Sequence, residues 1–151
     1  VTWVVILGCV AWIFFNWLAP WTLLAGAQPM SAGRIAPEIA AHARGLGVRL
    51  YVARLAAPGG FSVLAWPRQL VFFDHGSLAR TPAWALRFLI AHELGHCALG
   101  HIRVRWLMTV TGLCLLPGAR RRLRAMEREA DAYAERLTGL AAESFYKETN
   151  A

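Results

Sequence analysis

Hydrophobic positions change rhythm several times along this chain, and each rhythm predicts a different element. From Val1 to Gly33 no charged residue occurs, and "VTWVVILGCVAWIFFNWLAPWTLLAGA" is apolar apart from Thr2, Asn16 and Thr22. A helix of that length crosses a hydrocarbon layer. Trp3 and Trp21 stand about 27 Å apart on such a helix, which puts an indole near each interface, and Pro20 falls near the exit, where it does least harm. A cleavable signal peptide is the rival reading, because Ala25-Gly26-Ala27 has the small-x-small form of a cleavage site; a buried core helix is the third. The length of the apolar stretch, with no basic residue before it in this sequence, favours a retained anchor.

Beyond the anchor the rhythm shortens. Residues 28–47 read as a turn-rich linker followed by a short helix from Pro37 to Arg44, and Val48 to Ala53 alternates as a strand does. "FSVLAWP" and "QLVFFD" are two further β-rich runs, separated by Pro67, which confines one of them to an edge or a break; the turn Ala57-Pro58-Gly59-Gly60 precedes them. A small three-stranded sheet follows from these runs. Thr81 is placed to cap a helix that has Pro82 at its first position. Trp84, Leu86, Phe88, Leu89, Ile90, Leu94 and Leu99 carry that helix to about Gly100. A second long helix, from Ala119 to Leu137, aligns Leu123, Met126, Ala130, Tyr133, Ala134 and Leu137 on one face and stops at Gly139.

These elements fit 151 residues, enough for one core with attachments. The expected organisation is an anchor at 1–27, a linker and short helix at 28–47, and an α+β domain at 48–151. The net charge of +7 comes mostly from arginine, with a run "RRRLR" at Arg120 to Arg124. No aromatic residues interleave with it, so nucleic acid is not an expected partner; membrane lipid is the nearest acidic surface for an anchored chain. Arg34 and Arg44 follow the anchor, so the positive-inside rule puts the domain in the cytoplasm, on a single-pass protein of a bacterial inner membrane. Cys9, Cys97 and Cys114 lie in apolar surroundings and suggest buried free thiols more than a disulfide framework.

Chemistry concentrates in "AHELGHCALGH", Ala91 to His101. His92 and His96 are four residues apart on a helix, about 40° apart in projection, so both imidazoles can reach one ion. Zinc takes nitrogen and oxygen ligands in a tetrahedral array, and a catalytic site keeps the fourth position for water. Glu93 stands beside the first histidine, where it can take that water's proton. Histidines satisfied on an ordinary helix are the plainer alternative, and a second motif decides against it. In "MEREADAYAERLTG", Glu127 and Asp131 share one side of the second helix; Glu127 can complete a His/His/Glu metal triad, and Asp131 can hold the distal nitrogen of a ligand histidine. A solvated charged face explains Glu127 and Asp131 taken alone, but not their pairing with the upstream histidines.

"LIAHELGHCALGH" together with "EREADAYAERLTG" resembles the HtpX-like family of membrane zinc metalloproteases, which includes the CAAX prenyl proteases. The resemblance covers roughly Leu70 to Gly139. It implies a zincin-like minimal metallopeptidase domain built of an active-site helix, a second ligand helix and a small sheet. It further implies Zn2+ bound by His92, His96 and Glu127, with Glu93 as the base. A protein or peptide substrate would lie extended against a sheet edge, for which "QLVFFD" is the candidate, with a core strand as the alternative. His101 matches a further family histidine that is not a ligand, and an outer position behind the ligands or at a helix end is expected for it. Tyr133, Arg136 and His101 are candidates for stabilising an oxyanion, and His75 could face the cleft, although it and His42 suit a surface position.

The interval between the motifs is short for that family. Its uncharged run from Trp106 to Ala119, about 21 Å as a helix, falls short of a span, and a single crossing would part His92 and His96 from Glu127. The run must therefore turn back, lie at the interface or pack in the core; arginines on both flanks favour an interfacial loop. Two other readings stay open. An ImmA/IrrE-type peptidase shares HELGH and an "EREA"-like second motif and acts on a regulatory protein. A non-catalytic, zinc-stabilised membrane adaptor would use the arginines and the apolar loop. The oligomeric state is not legible.

Overall fold

The computed structural model describes residues 2–55, 59–65 and 68–149. In chain order the elements are α1 (Thr2–Ala25), β1 (Gln28–Pro29), α2 (Pro37–Gly45), β2 (Arg49–Ala53), β3 (Gly60–Ala65), β4 (Arg68–Asp74), α3 (His75–Arg80), α4 (Ala83–Ala98), α5 (His101–Val110), α6 (Ala119–Thr138) and α7 (Ala142–Thr149). Short 3-10 turns occur at Ala32–Arg34 and Leu113–Leu115. The side chain of Trp3 and residues Ala57, Pro58 and Pro67, which carried readings above, lie outside the described set.

The sheet order is β1-β2-β4-β3. β4 runs parallel to β2, with Tyr51 opposite Phe72, and antiparallel to β3, with Phe61 opposite Phe72. "QLVFFD" is therefore an internal strand, and the expectation that it forms the edge is corrected. The reason is burial on both faces, which gives an unbroken apolar run where an edge strand would alternate: Val71, Phe72 and Phe73 are all 0% exposed. Val71 and Phe73 join Phe88, Ile90 and Leu94 of α4 in the main core. Leu70 and Phe72 face the other way, against Trp21, Leu23 and Leu24 of α1. Phe72 stacks between Tyr51 and Phe61, with ring centroids 5.6 and 5.7 Å away. Full burial of such a ring stabilises by roughly 1.5–3 kcal/mol.

Two further details depart from expectation. Thr81 does not cap α4, whose N-cap is Pro82 with no side-chain hydrogen bond. Its hydroxyl instead donates to the Ser77 carbonyl at 2.8 Å and closes α3, a helix the sequence did not announce. Asp74 starts α3 by accepting from the Ser77 N–H at 2.7 Å, an N-cap bond worth about 1 kcal/mol. Residues 28–47 are more than a linker. β1 adds a fourth strand by pairing with β2, and Met30, Ile39 and Ala43 are buried in the core.

α4 and α6 pack closely because small residues line their contact. Ala91, Ala130 and Ala134 are fully buried, and a Cβ added at Gly95 would sit 3.1 Å from Tyr133 Cβ and 3.2 Å from Ala130 Cα. α6 ends as its sequence predicts, with Gly139 at φ 71° and its N–H on the Glu135 carbonyl at 2.8 Å. α1 touches the domain mainly through its final turns; it is long and apolar enough to cross a membrane, and 7% of its Gly8–Ala25 window is buried. The apolar interval between the motifs turns back. α5 rises beside α1, where Trp12 Nε1 donates to the Thr109 carbonyl at 3.3 Å, and the chain reverses at Gly112, φ 72°.

Candidate metal centre

α4 is enclosed almost all round, so its polar side chains from His92 onward must be satisfied inside the protein. His92, Glu93 and His96 are 8%, 6% and 1% exposed. The two histidines turn the same way from α4, and their Nε2 atoms lie 3.2 Å apart. Glu127 of α6 brings Oε2 to 3.4 Å from each. His92, His96 and Glu127 thus form a group that could hold a metal ion. Glu127 is the half-exposed member, with 47% of its side chain accessible, so the group opens to solvent on the α6 side.

The far side of each imidazole is held by a chain that ends in a carboxylate, and the two chains fix the tautomers. Asp131 Oδ1 lies 2.9 Å from His92 Nδ1. A carboxylate can only accept, so Nδ1 carries the proton and the Nε2 lone pair of a neutral ring is directed at the group. Behind His96 the chain is one residue longer. His101 Nε2 lies 2.9 Å from Glu129 Oε2 and must donate to it, which leaves His101 Nδ1 to accept from His96 Nδ1 at 3.0 Å. The Nε2 lone pair of His96 is thereby also freed for the group. Burial lowers the His101 pKa despite the Glu129 contact, which keeps that ring neutral, as the relay requires.

The electrostatics follow from the same contacts. Contact with the imidazoles of His92 and His96 holds the Glu127 carboxyl well below the usual range, against the opposing effect of burial. For His92 burial is the largest influence and lowers the pKa, but the contact with Glu127 and the charges of Glu93, Asp131 and Glu127 outweigh it and leave the ring above its ordinary value. Arg105 of α5 adds an Nη1 contact to Glu127 Oε1 at 3.4 Å. Burial, with the nearby Glu93 charge, pushes the Cys97 thiol up to about 12.

The remaining residues singled out in the sequence are dispersed. His101 is buried behind His96. Tyr133 lies on another side of α6 from Glu127 and pairs its hydroxyl with His42 of α2; the Arg136 guanidinium sits 5.9 Å over the Tyr133 ring. His75 is exposed at the start of α3 and lines a separate cavity of about 480 Å³ with Thr22, Gln28 and Arg54. Three participants had no mark in the sequence reading. Tyr146 of α7 donates to Asp131 Oδ1 at 3.0 Å, Glu129 terminates the His101 relay, and Arg105 meets Glu127. Glu129 alone could have been found, since it sits two residues from Glu127 in the same acidic stretch.

Comparison with models of known protein families matches none of them to this chain, and no curated protein matches it.

Proposed function

We propose that the chain is a membrane-anchored, zinc-dependent endopeptidase of the HtpX-like kind. The observation that carries this reading is the triangle of donor atoms. Zinc bonds of about 2.0–2.1 Å in a regular tetrahedron put neighbouring ligand atoms about 3.3–3.4 Å apart, and the three separations here are 3.2, 3.4 and 3.4 Å. Two imidazoles and one carboxylate suit zinc, and three protein donors leave one tetrahedral position for water. Bound zinc would supply Lewis-acid polarisation of the scissile carbonyl and lower the pKa of water.

The protein's own groups do the rest. Glu93 takes the proton of the attacking water and delivers it to the leaving nitrogen. Asp131 and the His101–Glu129 pair hold His92 and His96 in the tautomer that presents Nε2. β3, the outer strand next to β4, packs on α4 and is the edge on which an extended substrate can pair in place of the "QLVFFD" strand. α1 is the anchor, and Arg34 and Arg44 after it put the domain on the cytoplasmic side.

The decisive variant is Glu93→Gln. It is expected to bind one equivalent of zinc by mass spectrometry while cleavage of an unstructured protein such as casein disappears. Undiminished cleavage in that variant, or a parent protein that holds no zinc, would sink the reading.

A further inference from the structure

The hairpin between the two motifs is built as no water-exposed loop needs to be. Val104, Leu107, Leu113, Leu115 and Leu116 are all exposed, Leu115 to 86%, and they gather on α5 and the turn after it. The threonine hydroxyls of this segment are meanwhile bonded to its own backbone. The Thr109 hydroxyl donates to the Arg105 carbonyl and the Thr111 hydroxyl to the Leu107 carbonyl. The N–H groups of Thr111, Gly112, Leu115, Leu116 and Ala119 all donate to carbonyls within the same segment. Apolar side chains outside and backbone satisfied inside is the arrangement that a hydrocarbon solvent demands.

Position on α1 points the same way. Pro20 is buried against the domain, and Trp12, which holds Thr109, is two turns further out, about 12 Å at 1.5 Å per residue. If α1 crosses a bilayer, the turn at Gly112–Leu116 lies beside its hydrocarbon stretch. The exposed guanidinium-bearing residues Arg120, Arg121, Arg122 and Arg124 follow at the start of α6, one to two turns back toward the domain, where anionic headgroups would meet them.

We propose that the Leu107–Leu116 hairpin is a second membrane-embedded element, inserted into the acyl region of one leaflet beside α1 and collared by Arg120–Arg124 on anionic headgroups. It rests on the reading of α1 as a membrane anchor and is independent of catalysis. The metal group then sits just under the membrane surface, since Arg105, one turn below Thr109 on α5, contacts Glu127.

Native cysteines test this on the full chain. Cys114 lies in the hairpin and Cys9 on α1, both exposed, whereas Cys97 is buried. The Cys9→Ser protein labelled at Cys114 with an environment-sensitive fluorophore, and the Cys114→Ser protein labelled at Cys9, are reconstituted into phosphatidylcholine/phosphatidylglycerol vesicles. Acyl-chain nitroxide lipids and aqueous iodide serve as quenchers. The expected result is a blue shift and loss of most of the Cys114 signal to the nitroxide lipids, little to iodide, and a smaller blue shift once Arg120, Arg121, Arg122 and Arg124 are changed to Gln. Iodide quenching at Cys114 with lipid quenching at Cys9 overturns the hairpin proposal and leaves the anchor standing. Shielding of Cys114 from both quenchers also overturns it, because a second copy or another protein then covers the hairpin. Iodide quenching at both sites removes the anchor as well.

Discussion

The α4–α6 pair and the α1–α5 arm are opposites in what they hide. Between α4 and α6, three buried histidines each meet a partner: His92 with Asp131, His96 with His101, His101 with Glu129. Along the arm, large apolar side chains are exposed and the threonine hydroxyls are bonded to the segment's own carbonyls. The contrast teaches that the two halves are built for different surroundings. One makes its own low-dielectric interior, in which paired charges are held in fixed positions; the other presents an apolar surface, the kind that the proposed insertion into lipid requires.

Changes that break the clamp should be large. Glu127→Ala removes the only donor from α6, and zinc affinity measured by competition with a chromophoric chelator is expected to fall more than about 100-fold, beyond the range typical of outer positions. Asp131→Ala leaves all three donors but frees the His92 ring, and a loss of about 10- to 100-fold is expected by the same titration. If the two losses were equal, the assignment of Glu127 as a ligand and Asp131 as its support would fail.

Packing separates the halves again. Gly95→Val forces branched carbons against Tyr133 and the Ala130 backbone, and denaturant unfolding in detergent should show about 1–3 kcal/mol of destabilisation. Leu115→Ala on the arm should lie within about 0.5 kcal/mol of the parent in the same assay, although it removes a large hydrophobe. A destabilisation of Leu115→Ala equal to that of Gly95→Val would mean that the arm is core after all.

A pH dependence marks the buried side as well. The Cys97 pKa is raised from 9.0 to about 12 by burial and then by Glu93. Between those values the folded chain keeps a proton that the unfolded chain releases, so stability falls as pH rises through that window. Cys97→Ala should flatten that part of the decline. In the parent at neutral pH, maleimide should modify Cys114 and leave Cys97 untouched until the fold opens.

The sequence was most readable where chemistry and helical periodicity coincide. His92, His96, Glu127 and Asp131 could be brought to one place because i, i+4 spacing fixes a face and a helix needs no partner to define it. The α6 boundaries followed from the same rhythm and from Gly139. The sheet was harder. A strand buried on both faces loses its alternation, so "QLVFFD" beside Pro67 read as an edge when its residues in fact pack between α4 and α1. Tyr146 was invisible for another reason. Its approach to Asp131 depends on Phe145 stacking on Phe88 at 4.7 Å, a tertiary contact that no local pattern encodes.

One feature of the hairpin reaches beyond this molecule's own dimensions. α5 and α6 are clipped together at the domain end by His101–Glu129 and Arg105–Glu127, below the point at which the chain leaves for the turn at Gly112. Those clips, with the packing of α4 on α6, fix the spacing of the donor atoms. Because closing a longer loop adds little entropy per added residue, the segment above the clips is a module whose length can change while the ion-binding geometry beneath it stays the same.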